Sequence, residues 1–548
     1  MLEPLMYRAL NNVVLAASWH GVHEFERALP DPGSVQRNLL LGLLRRNRDS
    51  AYGRQYGFGS IRSVEEYQEH LPIVTYDDMV GSIERMKAGE NAVLTSEPVL
   101  MFEKSSGSVS AAKYVPYTRT LRSQFQAALG PWTSDLYRAF PGIGRGCSYW
   151  LVTPLSRERE RTPAGIPVGF EDDSQYFGFF ERWVLRRTMA VPPELAQVPK
   201  LEDCLYLTLR FLLQARCLSF ISLWNPSFLL ILLDRLELHG ERLARDLAEA
   251  TVSLSASISP KIKRQLRPDT AQAQNLRAML GRGRIEPEVL WPELKLISCW
   301  TSASSRGMEG EILRVFPRVN IQGKGLLATE GIVSIPIERY GGCVAAVTSH
   351  FLEFVDTQSG GCRTIAQLKE GGEYSVVLTT GGGFWRYRLG DRVRVTGFAK
   401  NTPMLEFVGK EDHVCDLRGE KLNAVFVGKV LAKSCKLASF AMLAPSASEA
   451  CGYTLFLESP QCDPGLAVRV DQDLEANPHY AYCRNLGQLA NLQLFRIDHG
   501  AQENYLKHCE KLGQRAGSIK TTALHKDHGW ETVFTGRYVT SETLEVCL

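Results

Sequence analysis

The stretch Gly323-Lys324-Gly325-Leu326-Leu327-Ala328-Thr329-Glu330-Gly331-Ile332-Val333-Ser334-Ile335-Pro336 decides how this chain is read. Its first six residues match G-x-G-x-x-A after a strand-like run, Val319-Asn320-Ile321, as a dinucleotide-binding unit would. Such a unit needs a helix next and an acid about 20 residues on. Here Gly331 to Pro336 reads as extended, and Gly341 to Leu352 contains no Asp or Glu. The dinucleotide reading is rejected. What remains is Thr329-Glu330 beside glycines: a hydroxyl for a phosphate and a carboxylate suited to Mg²⁺. Taken alone, Glu330 would be a solvated loop acid.

Working outward, the first 95 residues read as mostly helical, with Leu39, Leu40, Leu43 and Leu44 at helical spacing after Ser34 as a cap. Met1 to Val22 reads as an amphipathic helix, without the charged leader and apolar run of a signal peptide. Helical patterns return over Leu205 to Leu238 and Leu243 to Leu254. Short strand-like runs such as Leu294 to Ile297 are interleaved, which predicts an α/β architecture. From Val344 the texture becomes β-rich: Val344 to Val355, Glu373 to Thr380, Phe384 to Arg388, Arg392 to Phe398 and Leu405 to Val408 read as strands. Gly381-Gly382-Gly383 marks a turn among them. Beyond Gly409, strand-like Ser439 to Leu443, Tyr453 to Glu458 and Leu492 to Ile497 alternate with helical Leu466 to Arg484 and Gln502 to Leu512. The expectation is a large α/β domain over 1–408, β-rich over about 344–408, and a small α+β domain over 409–548.

The composition narrows the function classes. The 548 residues carry 63 basic and 60 acidic side chains, so no global field favours nucleic acid. Thirteen cysteines at irregular spacings, with no C-x-x-C, suit reduced thiols better than disulfides or zinc. The longest uncharged stretch, Cys217 to Leu233, is short for a membrane span and is broken by Asn225-Pro226. A soluble, cytoplasmic protein that binds neither membrane nor nucleic acid is expected.

Three further segments carry chemistry. In Met101-Phe102-Glu103-Lys104-Ser105-Ser106-Gly107-Ser108-Val109-Ser110-Ala111-Ala112-Lys113, hydroxyls around a glycine let backbone N–H groups approach a phosphate chain, and Lys113 can neutralise its charge. The Walker spacing is absent, and a serine-rich surface turn is the plain alternative. Phe384-Trp385-Arg386-Tyr387-Arg388-Leu389-Gly390-Asp391 puts an acid at a glycine turn, where it can accept from vicinal ribose hydroxyls or pair with a neighbouring arginine. Lys421 and Lys520 would ordinarily be surface lysines. The His20/His23 and His525/His528 pairs lack an evident third metal ligand, and no G-x-S-x-G occurs.

Taken in order, the segments resemble the adenylate-forming superfamily of acyl-CoA synthetases and luciferases. They resemble more closely the Gretchen Hagen family of auxin-responsive acyl acid–amido synthetases, its bacterial branch in particular. The resemblance rests on Ser106-Gly107-Ser108 with Lys113, Trp224-Asn225-Pro226-Ser227, Ala328-Thr329-Glu330-Gly331, Tyr387-Arg388-Leu389-Gly390-Asp391 and Gly419-Glu420-Lys421, and it runs over nearly the whole chain. It implies an N-terminal domain for nucleotide and acid and a mobile C-terminal lid. By resemblance, Ser105, Ser106, Gly107, Ser108 and Lys113 would hold the ATP phosphates, and Ser302 and Ala303 would lie along the adenine. Thr329 would contact the α-phosphate, Glu330 the Mg²⁺, and Asp391 the ribose. Lys421 and Lys520 would approach from the lid as catalytic lysines. Two positions depart from the pattern: Leu326, where plant members carry an aromatic residue, and Val109, where a serine or threonine is common. The implied reaction consumes ATP, adenylates a small carboxylic acid and passes the acyl group to an amine, an amino acid being expected. Two rivals are a thiol acceptor, of coenzyme A or a carrier protein, and a degenerate nucleotide-binding relative.

Overall fold

The computed structural model describes residues 2–105, 113–151, 160–169, 179–224, 226–254, 258–301, 306–411, 414–415, 417–418, 420, 422–446, 451–460, 463, 465–485, 488–512, 514 and 519–539. They fall into two compact units, one built from Met1–Ser105, Lys113–Leu389 and Val393–Phe407, the other from Gly390–Arg392 and Val408–Leu548.

The first unit opens with helices Leu2–Ala28, Pro32–Asn47, Val64–His70 and Tyr76–Lys87. Pro32 has its φ preset for a first turn, and the Asp31 carboxylate accepts from the Ser34 N–H at 3.2 Å. Ser34 is thus inside the helix and Asp31 is the cap, a correction to the expected start: the carboxylate lies one turn earlier, where the helix's unpaired N–H groups point. Leu40, Leu43 and Leu44 turn inward against Phe58, Tyr67 and Trp385, as their spacing predicts.

Strands β1 (Met101–Ser105) and β2 (Lys113–Tyr117) pair antiparallel, with Ser105 opposite Lys113. A parallel sheet follows, in the order β3 (Cys147–Trp150), β4 (Leu218–Ser222), β5 (Leu296–Cys299), β6 (Asn320–Gly323). β3, β4 and β5 are buried along their whole length, their serines included, so they lack the regular alternation of a half-exposed strand. That texture explains one miss. The helical pattern expected over Leu205 to Leu238 is helix Leu201–Gln214, then β4, then helix Pro226–Glu249, because a buried strand and a buried helix look alike by periodicity. The Leu243 to Leu254 pattern is the tail of that second helix only as far as Glu249; residues 250–254 are not helical. No described helix is long and apolar enough to cross a membrane.

Seven strands form the β-rich sheet: β7 (Ser334–Ile337), β8 (Gly342–Ala345), β9 (Phe351–Asp356), β10 (Cys362–Thr364), β11 (Glu373–Thr379), β12 (Tyr387–Ala399) and β13 (Thr402–Lys410), in the order β10-β9-β11-β12-β13-β8-β7. Val344 to Val355 is divided between β8 and β9. Phe384 to Arg388 and Arg392 to Phe398 are not two strands: β12 runs through from Tyr387. Asp391 therefore lies within a strand rather than at a turn. Gly390, at φ 78, supplies the local irregularity that sequence reading took for a turn. The triglycine turn does precede β12, and Gly383 there has φ 98.

In the second unit β14 (Val414–Cys415) pairs with β15 (Leu422–Asn423). A four-stranded sheet runs β16 (Phe440–Pro445), β17 (Tyr453–Glu458), β18 (Gln493–Ile497), β19 (Gly536–Tyr538), parallel only between β17 and β18. The expected helix Leu466 to Arg484 is two, Leu466–Leu474 and Pro478–Asn485, since a proline cannot continue the first. Ala501–Lys511 matches the last expected helix closely.

One buried ion pair ties the first helices to the sheet. Arg386 donates through Nε and Nη2 to the Glu353 carboxylate at 3.2 and 3.0 Å, and through Nη1 to the carbonyls of Gln68 and Leu71 at 2.9 and 2.6 Å. Glu353→Leu leaves that guanidinium uncompensated and should cost about 3–5 kcal/mol. Adding Arg386→Met should recover a large part. Urea unfolding followed by tryptophan fluorescence reads both, and an additive double variant would contradict the pairing.

Candidate active site

Beyond β6 the chain enters a tight hairpin, not a helix. The Ala328 N–H donates to the Gly331 carbonyl at 3.1 Å, the Gly331 N–H returns to Ala328 at 3.2 Å, and Leu327 bridges Ile332. Thr329 and Glu330 form the tip. The rejection of a dinucleotide unit stands, for the glycines here serve close approach rather than a helix start. A Cβ on Gly331 would lie 3.0 Å from Cδ2 and Nε2 of His350. His350 is fully buried, and burial pulls its pKa down to about 3, so it is a neutral imidazole. On the other side the Tyr117 hydroxyl donates to the Thr329 carbonyl at 2.9 Å. The tip is thus pinned from two directions, and the Glu330 carboxylate is held buried at 7 % exposure.

Lys113 comes to the same neighbourhood through β2. Its Nζ donates to the Tyr387 hydroxyl at 3.4 Å and lies 5.8 Å from the Tyr76 ring centre. The Tyr76 hydroxyl accepts the Tyr114 N–H at 2.6 Å. Burial, with smaller contributions that include the Glu330 charge, pushes the Tyr76 pKa up to about 12. Tyr76 therefore stays a neutral phenol, with the Lys113 ammonium near its ring. The other lysine of the loop is engaged elsewhere: Lys104 pairs with Glu160 at 2.5 Å, and Glu160 also accepts the Tyr114 hydroxyl at 3.0 Å.

The second unit has its own charged cluster. Asp391, nearly buried, faces Lys410 Nζ at 3.8 Å. Lys520 is exposed along its side chain, yet the protein around its ammonium, aided by Lys410 and opposed by Asp391, pulls its pKa down to about 7. Of the residues expected from sequence, Lys113, Thr329 and Glu330 are brought together in one unit, and Asp391 and Lys520 in the other. Ser105 ends β1 opposite Lys113. Ser106, Gly107, Ser108, Val109, Ser302, Ala303 and Lys421 lie outside the described residues. Sequence reading did not single out Tyr76, Tyr117, Lys324 or Lys410. Only Lys324 carried a signal, a charge wedged between two glycines.

Among the described residues no group of three or more His, Cys, Asp or Glu could hold a metal by itself. A single buried carboxylate such as Glu330 nevertheless suits Mg²⁺, which takes one or two carboxylates and fills its other positions with phosphate oxygens and water.

Comparison with known proteins agrees over most of the chain. Residues 21–320 match the GH3 family N-terminal domain, 343–410 the GH3 family central domain and 422–529 the GH3 family C-terminal domain. A probable indole-3-acetic acid-amido synthetase GH3.12 of Oryza sativa subsp. japonica is 24% identical, over 90% of this chain and 92% of its own length. The indole-3-acetic acid-amido synthetase GH3.2 of Arabidopsis thaliana is 22% identical, over 79% and 84%. Among solved structures, a GH3.15 acyl acid amido synthetase in complex with 2,4-DB superposes with a TM-score of 0.82 at 19% identity, over 94% of this chain and 95% of that one. A 2-hydroxyisobutyryl-CoA ligase in its postadenylation state shares the fold more distantly, with a TM-score of 0.50 at 13% identity over 92% of each chain.

Gly331→Ala should lower stability by about 1–3 kcal/mol, because the new methyl must displace a buried ring. His350→Ala opens that space, so the double variant should be less destabilised than the sum of the singles. Denaturant unfolding measures the cycle, and strict additivity would deny the contact.

Proposed function

The chain belongs to the GH3 family, and from that premise we propose that it is an ATP-dependent acyl acid–amido synthetase, joining a small carboxylic acid to an amino acid. The observation that supports the reading is the hairpin tip of Thr329 and buried Glu330, pinned by the Tyr117 hydroxyl at the Thr329 carbonyl. It fixes a hydroxyl and a buried carboxylate side by side on one turn, and with a lysine such as Lys113 these are the groups that a triphosphate with its metal requires.

The chemistry follows from electronics. A carboxylate is a poor electrophile, so its oxygen attacks the α-phosphorus of ATP, and pyrophosphate leaves with the bond's electron pair. An amine then attacks the acyl carbon of the mixed anhydride, AMP departs, and an amide remains. The barrier to the first step is charge crowded on phosphate oxygens, which lysines and backbone donors relieve. In this reading Ser105, Ser106, Gly107, Ser108 and Lys113 hold the phosphates, and Ser302 and Ala303 flank the adenine. The Thr329 hydroxyl meets the α-phosphate, and Asp391 accepts from the ribose hydroxyls. Glu330 would hold Mg²⁺, whose charge counters that of the phosphates when it is bound. Lys421 and Lys520 belong to a lid over 409–548 that closes on a body over 1–408, and hinge motion lets one site serve both steps. Coenzyme A or a carrier-protein thiol is the alternative acceptor. The described cysteines are all free thiols, which fits the reducing cytoplasm.

Acid-dependent ATP–pyrophosphate exchange over a panel of carboxylic acids tests the first step. Exchange with at least one acid is expected, with Glu330→Gln and Asp391→Ala each at least 10-fold slower, as for lost charged contacts. No exchange with any acid, or exchange unchanged in both variants, would sink the reading. Lys520 adds a pH test. Its pKa lies below the ordinary 10.5, so its charge is present at low pH and lost as pH rises through the shifted value. Adenylation kcat/KM should therefore fall on an alkaline limb below pH 10.5. That limb should move to higher pH in Lys520→Arg, whose guanidinium stays charged. An unmoved limb would remove Lys520 from this role.

A further inference from the structure

Lys520 projects from a short segment that is fastened at both ends. On one side Ile519 is buried in the core with Phe440, Tyr505 and Trp530. On the other, the Leu443 N–H of β16 donates to the Ala523 carbonyl at 2.8 Å, and the His525 N–H donates to the Leu443 carbonyl at 2.8 Å. Leu524 thereby runs parallel beside β16. Between these fastenings the Tyr505 hydroxyl donates to the Lys520 carbonyl at 3.2 Å, and the Thr522 backbone N–H bonds the same phenol oxygen. One hydroxyl therefore clamps two successive peptide groups, the first of them carrying the Lys520 carbonyl.

The ring sets the direction of that hydroxyl. Tyr505 lies on helix Ala501–Lys511, buried with Ala501 and Cys509 one turn to either side. It stacks on Trp530 with 5.2 Å between ring centres and 14° between planes, and meets Phe440 at 5.9 Å and His525 at 6.5 Å. Phenylalanine would fill that space equally well, so packing alone does not call for the oxygen. A buried hydroxyl costs free energy unless it is bonded, and here its backbone partners are the peptides next to Lys520. Burial holds the phenol far above its usual titration range, so it stays a proton donor. The other titratable groups facing it are Cys509, Asp527 and His525, while Lys410 and Asp391 face the Lys520 ammonium. A lysine ends a flexible four-carbon stem, so a shift of its backbone is carried to the charge. A misplacement of about 1 Å at a reacting centre can cost about 100-fold in rate.

We propose that Tyr505 is a positioning residue for adenylation: by holding the Lys520 carbonyl and the Thr522 N–H, it fixes the backbone from which the lysine reaches the phosphates. Tyr505 acts through the lysine and need not touch substrate. The proposal rests on the ligase reading and on the place of Lys520 in it.

Full-length Tyr505→Phe keeps the ring and removes the hydroxyl. With a competent acid, ATP–pyrophosphate exchange should show kcat about 10-fold lower and a KM for ATP within about twofold, the pattern of a contact made in the transition state. Its alkaline limb should also lie at higher pH than that of the wild type. A loosened backbone lets water reach an ammonium whose pKa burial pulls down to about 7. A tyrosine that merely fills the core would leave the limb in place. An unchanged kcat, an unmoved limb, or a wild-type limb indifferent to Lys520→Arg would overturn the proposal and leave the ligase reading standing. Where Tyr505→Phe does not fold, amide hydrogen exchange of the wild type takes its place. The Thr522 N–H should then exchange at least about 100-fold more slowly than in an unfolded chain, and an unprotected one would overturn the clamp. No pyrophosphate exchange by the wild type with any acid would overturn both readings.

Discussion

Two backbone hydrogen bonds between Ala328 and Gly331, at 3.1 and 3.2 Å, decide what the glycines between 323 and 331 are for. They close a hairpin where a nucleotide-binding helix would otherwise begin, and they put Thr329 and Glu330 at its tip. Everything near that tip serves to hold it still. Tyr117 bonds the Thr329 carbonyl, His350 fills the space a side chain at 331 would need, and the Gly325 Cα lies against the Ser334 carbonyl. A buried carboxylate is expensive unless its surroundings are organised in advance, and that organisation is what electrostatic catalysis draws on.

The same reasoning explains why the surface charge is almost balanced. With 63 basic and 60 acidic residues the protein presents no field for a polyanion. Its charges act locally instead: Lys113 beside Tyr76, Lys410 beside Asp391, and Lys324 within three indoles. Each cation has a particular neighbour, which suits a ligand of a few charges.

How much of this was legible in sequence depended on the kind of signal. Motif order pointed to the family, and the absence of an acid between Gly341 and Leu352 was enough to refuse the dinucleotide reading. Strand Tyr453–Glu458 was legible to the residue, because it is a short apolar run bounded by a glycine and a proline. The buried strand β4 was not, because burial on both faces erases the alternation that marks a strand. Asp391 was recognised as a candidate but set at a turn, since Gly390 looks the same in sequence at a bend and within a strand. Tyr76, Tyr117 and Lys410 carried no local signal. Their neighbours lie far along the chain, and only the folded topology brings Tyr117 to Thr329 or Lys410 to Asp391.

The central claim, that amide formation proceeds through an acyl-adenylate, is tested most directly by following the oxygen. A competent carboxylic acid labelled with ¹⁸O in its carboxylate is incubated with ATP and amino acids, and the nucleotide product is examined by mass spectrometry. Attack on the α-phosphorus predicts AMP carrying one ¹⁸O alongside the amide. Unlabelled AMP, or ADP together with labelled phosphate, would contradict it.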